Sequence, residues 1–193
     1  MSKIQQFGLA IDWETSGYSL PNYAEKHQGV SFGAIIFDMR TFNPVESLYR
    51  EIKFIGDKYE WSTGAERVHG LSKEHLAKNG IDQQQAAFEL GSLILKYIGT
   101  EQITLLGHRV YFDRSFTDQL MNSIDVRLEY NPTMIDSCSI STVLLEMTRS
   151  DDIFKCLGLP DRGKHNALED IENTLFSIKQ LKNYFIQGIS CQK

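Results

Sequence analysis

Apolar and polar positions fall into short blocks along this chain, and each block has the period of a strand or of a helix. Residues 7–11 are an apolar run that ends in acidic residues, the pattern of a buried strand with Asp12 and Glu14 at its C-terminal end. A second run, 30–37, is rich in Val, Phe and Ile and predicts a second strand. Loose alternation over 48–55 predicts a third. Residues 17–29 hold Gly, Ser, Pro and Asn without a period and read as a loop.

The period then changes. Ser72, just after Gly70, can cap a short helix. Asp82 with Gln85 resembles a capping box. Ala86, Ala87, Leu90, Leu93, Ile94, Tyr97 and Ile98 follow at helical spacing, up to a terminating Gly99. Residues 103–106 predict a fourth strand, 113–122 a helix, 133–135 a fifth strand and 139–148 another helix. A long last helix starts near Asn166, with Ala167, Leu168, Ile171, Leu175, Ile178, Leu181 and Phe185 as its buried stripe. This order predicts an α/β domain with helices covering both faces of one mixed sheet. It occupies residues 1–186, and the polar stretch 187–193 is expected to be a loose tail.

Charge narrows the function. The chain has 193 residues and a net charge of −5, so it does not hold nucleic acid by a basic field. Phosphate binding must be local, helped by cations in an acidic pocket. Cys138, Cys156 and Cys191 are odd in number and lack metal-ligand spacing, which fits free thiols in a reducing compartment. Residues 1–7 carry no signal-peptide pattern, and no apolar run approaches the ~18 residues of a membrane span. A cytoplasmic protein with no membrane contact is expected.

Three clusters carry candidate chemistry. In the first, Asp12 and Glu14 stand two apart on a strand end, so both carboxylates point to one face. They repel unless a cation joins them, and hard cations such as Mg²⁺ prefer oxygen ligands. In the second, the stretch from Gly107 to Asp113 follows a strand and opens a helix, which favours a carboxylate in the first turn. In the third, His165 lies in a loop and Asp170 early in the last helix. The stretch before it, Asp161, Arg162, Gly163 and Lys164, reads as a mobile basic loop suited to a histidine that swings onto a substrate. Taken singly, each cluster also reads as ordinary structure: a solvated acidic turn, a helix-start acid, a surface histidine.

Together, in this order, they resemble the three motifs of the DEDDh 3′–5′ exonuclease family, which includes proofreading subunits, RNase T and oligoribonuclease. Asp12 to Gly17 matches D-x-E-T-[ST]-G, His108 to Asp113 matches H-x-x-x-F-D, and His165 to Asp170 matches H-x-A-x-x-D. Val68 to Ser72 resembles the family's H-G-[IL]-[ST] segment, and Ile135 to Ser137 its I-D-[ST] strand end, whose Asp is usually structural. The resemblance runs from about Phe7 to Phe185.

It implies a ribonuclease H-like fold, a five-stranded mixed sheet flanked by helices on both faces. It implies that Asp12, Glu14, Asp113 and Asp170 hold two Mg²⁺ or Mn²⁺ ions about 4 Å apart, with Asp12 bridging them. His165 is then the general base that activates water, and the product is a nucleoside 5′-monophosphate. The backbone at Thr15 and Ser16 is the expected clamp on the 3′-terminal nucleotide. Trp13 and Phe112 are candidate base-stacking residues, and His69 a further substrate contact. Arg109, Arg114, Arg162 and Lys164 flank the motifs and can meet phosphates. Arg109 stands where the family commonly has Asn, a long cation for a small amide. His27 and His75 have no motif around them and read as surface residues. The implied partner is a single-stranded DNA or RNA 3′ end, with a polymerase or another replication or repair protein as a further candidate. Three readings stay open: exonuclease on DNA, RNA-specific trimming or oligoribonuclease-type activity, and a non-catalytic nucleic-acid-binding module of the same fold.

Overall fold

A computed structural model describes residues 5–19, 23–161 and 163–190. Strands β1 (Phe7–Thr15), β2 (Gly29–Asp38), β3 (Pro44–Glu51), β4 (Leu105–Gly107) and β5 (Ile135–Asp136) form one sheet of order β3-β2-β1-β4-β5. The first three strands are an antiparallel meander, while β4 and β5 run parallel to β1, so the sheet is mixed. The helices are α1 (Tyr23–Lys26), α2 (Thr63–His69), α3 (Lys73–Asn79), α4 (Gln83–Tyr97), α5 (Val110–Asn122), α6 (Ser137–Leu145), α7 (Ser150–Cys156) and α8 (Ala167–Ser190).

Two cores result from the period-two alternation of the central strands. Leu9, Ile11 and Trp13 of β1 and Phe32, Ala34 and Ile36 of β2 pack under α4 and α5. Ala10, Ile35, Phe37 and Leu106 face the other way, against Ile171, Leu175 and Ile178 of α8. Because both faces are covered, β1 and β2 read as nearly continuous apolar runs. The same alternation puts Asp12, opposite Gly33, and Glu14, opposite Ser31, on the α8 side.

Gly33 lets α8 approach. A β-carbon there would lie 2.4 Å from Leu168 Cα and 2.5 Å from the Ala167 carbonyl oxygen, a clash with backbone that cannot swing aside. Gly33→Ala is therefore expected to destabilise by about 1–3 kcal/mol as overpacking. That is roughly 2–12 °C in Tm for a chain of this size, measurable by calorimetry.

The differences from the sequence reading are local. The first strand extends to Thr15, because β2 pairs with it along its whole length. The third runs 44–51 rather than 48–55, and α5 starts three residues early at Val110. Asp82 caps α4 by position, but its side chain makes no cap hydrogen bond. It takes Lys53 Nζ at 3.2 Å instead, and Gln85 donates to Glu89 one turn on, so there is no capping box. Helices α1, α2 and α7 are too short to show a period. The last helix runs through Ser190, past the Gln187 at which a loose tail was expected. No proline intervenes, and extending an established helix costs little. Cys191, Gln192 and Lys193 lie outside the described residues. No described helix is long and apolar enough to cross a membrane.

Candidate active site

The three acidic clusters meet where the C-terminal ends of β1 and β4 face the start of α8. Asn166 fixes that start, since its Oδ1 accepts from the Leu168 and Glu169 N–H groups at 3.0 and 3.2 Å. This N-cap sets Asp170 in the first turn of α8, 5% exposed. His165, just before the cap, brings Nδ1 to 3.4 Å from Asp170 Oδ2. Glu14, His165 and Asp170 each offer a ligand atom within 4.8 Å of the other two. Asp12, partly exposed on the same strand face, is not in that tight group.

Asp113 approaches from α5. It is 2% exposed, and its Oδ2 is buried without a hydrogen-bond partner. Burial holds its carboxyl well above the ordinary range; hydrogen bonds from the backbone of Trp13 and its own N–H oppose this, and the charges of Glu14 and Asp136 reinforce it. A buried acid with an orphaned oxygen, beside further carboxylates and an imidazole, is the donor set of a divalent cation. The residues present therefore fit a metal.

The corner that presents Asp113 is built by structural residues. Asp136 caps α6, accepting from the Cys138 and Ser139 N–H groups at 2.8 and 3.3 Å, and it also accepts the Arg109 N–H at 3.3 Å. His108 Nε2 donates to the Thr148 carbonyl at 3.1 Å, so its Nδ1 accepts the Ser137 hydroxyl at 2.9 Å. Arg109 adopts the left-handed region at φ 61° and ψ 50°. Asn tolerates that conformation better than Arg, which gives the amide common at this position a backbone reason. The Arg109 side chain stays exposed.

Two residues expected to touch substrate are structural instead. Trp13 lies on the opposite face from Asp12 and Glu14, 4% exposed among Phe32 and Phe116. Its Nε1 donates to Thr117 Oγ1 at 3.0 Å, and Thr117 in turn donates to the Asp113 carbonyl. Trp13 thus braces the turn that carries Asp113, and its ring cannot stack on a base. Ser16 is fully buried. Its hydroxyl donates to the Glu60 carbonyl and accepts from the Gln28 N–H, its N–H donates to the Gln28 carbonyl, and its own carbonyl accepts from Ser62. Both hydrogen-bond donors of Ser16 are thus taken up within the protein. Thr15, 8% exposed, bonds the Gly17 carbonyl through its hydroxyl.

His27 is likewise not a surface residue. It is 4% exposed and packs against Gly17, held by Ser19 and the Glu60 carbonyl. His75 is exposed and meets Glu51 at 2.6 Å. Arg114 is engaged with Asp118 and the Tyr130 ring, and Arg162 lies outside the described residues.

His69, 5% exposed, accepts the Leu71 N–H at Nδ1, so Nε2 carries the proton and is buried without a well-formed hydrogen bond. Burial keeps the imidazole below its ordinary value, against a weak contact with the Thr15 backbone. Phe112 is half-buried and touches Tyr18 and Tyr23 at 5.7 and 4.9 Å between ring centres. Tyr18, directly after the first motif, is exposed and joins Phe112 in an aromatic surface, in place of the buried Trp13 that the sequence had paired with Phe112. A groove of about 780 Å³ between β3 and α4 is lined by none of Asp12, Glu14, Asp113 and Asp170. The shape of the surface is therefore a poorer guide here than the chemistry.

Comparison with known proteins agrees with this geometry. Residues 9–176 match the family model described as "Exonuclease". The chain is 24% identical over 187 residues to the oligoribonuclease of Buchnera aphidicola subsp. Schizaphis graminum, covering 95% of each. It is 27% identical over 170 residues to the 3′-5′ DNA exonuclease Cap18 of Escherichia coli, covering 84% of each. Its fold superposes on the zinc-bound E. coli exonuclease I in complex with single-stranded DNA at a TM-score of 0.74 and 21% identity. That match covers 93% of this chain and 41% of the other, so the chain spans about two fifths of exonuclease I. The five-stranded mixed sheet with helices on both faces is the ribonuclease H-like fold. The family match covers most of the chain and all three clusters that meet at the site, and the chain belongs to the exonuclease family.

Proposed function

We propose that this protein is a metal-dependent 3′–5′ exonuclease that removes nucleoside 5′-monophosphates from single-stranded nucleic acid. The observation that carries the reading is the convergence of Glu14, His165 and Asp170 within 4.8 Å, beside a buried Asp113 with an orphaned oxygen. The binding of two Mg²⁺ or Mn²⁺ ions falls to Asp12, Glu14, Asp113 and Asp170. Bound metal supplies positive charge to the phosphate oxygens as negative charge builds on them.

The side chains do the rest. Asp170, beside the His165 ring, orients it and stabilises its protonated form, as a carboxylate does for an imidazole base. His165 takes a proton from the attacking water as the phosphodiester bond breaks and the 3′-oxygen leaves. Phe112 and the neighbouring Tyr18 receive the bases by stacking, which is tolerant of sequence and suits a single strand. Arg109 is an exposed cation for a phosphate, and the buried His69 backs the Thr15 main chain beside the site.

A second reading within this chemistry is short RNA as the substrate, favoured by the near full-length match to an oligoribonuclease; the match to a DNA exonuclease is its counterweight. The proposal requires no polymerase or repair partner. The free Cys138 and Cys156 support the reducing cytoplasm as its place.

The test is a gel assay with 5′-labelled DNA and RNA of one sequence, with Mg²⁺, with Mn²⁺ and with chelator. A ladder shrinking from the 3′ end only when metal is present is the expected result, and the faster strand names the substrate. Intact strands with shifted bands would instead favour the non-catalytic binding module.

A further inference from the structure

We propose that the corner at the end of α2 holds His165 in place, and that Gly70 within it is a positioning residue. The inference rests on the reading of His165 as the proton acceptor.

His165 lies in the connection between α7 and α8, outside any regular element. A catalytic imidazole needs a fixed main chain, because a 1 Å misplacement costs on the order of a hundredfold in rate. Two consecutive residues of this connection lean on the same corner. The His165 N–H donates to the Val68 carbonyl at 3.2 Å, one of the carbonyls left open where α2 ends. The side chain of Lys164 lies across Gly70. A β-carbon on that residue would sit 2.5 Å from both Cδ and Nζ of Lys164.

The seat itself is firm. Gly70 ends α2 at φ 77°, and its N–H returns to the Glu66 carbonyl at 2.7 Å. Between Val68 and Gly70, the buried His69 ties the turn to Leu71 through Nδ1 at 3.0 Å. One hydrogen bond and one packing contact, from adjacent residues, set both the position and the direction of the main chain that delivers the imidazole to Asp170. Glycine suits the left-handed turn at 70, and any side chain there would take the place of the Lys164 stem.

Two variants separate this seat from the stability of the turn. In Gly70→Asn, the new residue accepts a left-handed backbone while its side chain displaces that of Lys164, which can swing into solvent. Lys164→Ala removes the same contact from the other side. Each is expected to lower kcat about tenfold or more, a part of what a general base supplies, with Mn²⁺ affinity unchanged in both and KM unchanged in Gly70→Asn. Amide hydrogen exchange in residues 163–168 is expected to quicken in both. The double variant is expected to be no slower than the slower single one, since both remove one contact. Wild-type kcat in both single variants while His165→Ala is inactive would overturn the inference and leave the proposed function standing, as would losses that multiply in the double variant. A His165→Ala protein as fast as wild type would overturn the reading of the base, and the inference with it.

Discussion

His165→Ala is expected to lower kcat by about 10²–10⁴-fold, the usual contribution of a positioned general base, with oligonucleotide affinity retained. The structure sharpens this expectation, because His165 shares a 4.8 Å cluster with Glu14 and Asp170 and could be a ligand instead of a base. Titration calorimetry with Mn²⁺ separates the two. A base leaves metal affinity unchanged when removed. A ligand does not, and a fall of tenfold or more in Mn²⁺ affinity would reassign His165 to the metal. The 3.4 Å approach to Asp170 favours the base, since a carboxylate beside an imidazole stabilises the proton that it accepts.

Asp113→Asn is expected to abolish metal-dependent cleavage and, in chelator, to raise stability. Without metal, a carboxylate that is 2% exposed with one orphaned oxygen carries a desolvation cost that folding must offset. The amide keeps a buried polar atom at that place but removes the charge, whose cost exceeds that of a neutral unsatisfied group by about 1 kcal/mol or more. Relief of about 1 kcal/mol raises Tm by roughly 2–4 °C in a chain of this size. The sign of the pH dependence follows from burial, which raises the folded pKa of Asp113 above its unfolded value. Its contribution is most favourable below the unfolded pKa and is lost as pH rises through the folded pKa. In chelator, the advantage of the variant is therefore larger at pH 8 than at pH 5. A variant no more stable than wild type in chelator at pH 8 would mean that Asp113 is satisfied by protein groups alone, and so is not held in readiness for a cation. Activity at the expense of stability is a common arrangement at functional sites.

Much of this site was legible before folding. Strand alternation placed Asp12 and Glu14 together, and the helix-start positions of Asp113 and Asp170 followed from the periods around them. The same alternation sends Trp13 to the opposite face, so its burial was readable, although its nearness to the motif suggested a stacking role. Ser16 was not readable in this way. Its partners, Gln28, Glu60 and Ser62, are distant in sequence, and no local rule pairs a serine with a carbonyl 44 residues away. The helix α2 has a capping Ser62 and a closing Gly70, both visible signals, but its seven residues are too few to show a stripe. Tyr18 and Tyr23 meet Phe112 only because the chain after β1 folds back over α5, which composition does not encode.

The docking of α8 on Gly33 has a consequence for the cell that makes this protein. Glu14 emerges from the ribosome well over a hundred residues before His165 and Asp170. The helix that carries Asp170 needs the length of its apolar stripe before it can settle on the sheet. A nascent chain that stops short of His165 thus holds three of the four acids proposed to bind metal and lacks the histidine proposed as proton acceptor. On the proposed function, the site gains its full set of residues only once translation has passed the start of α8 and the helix has closed on the sheet.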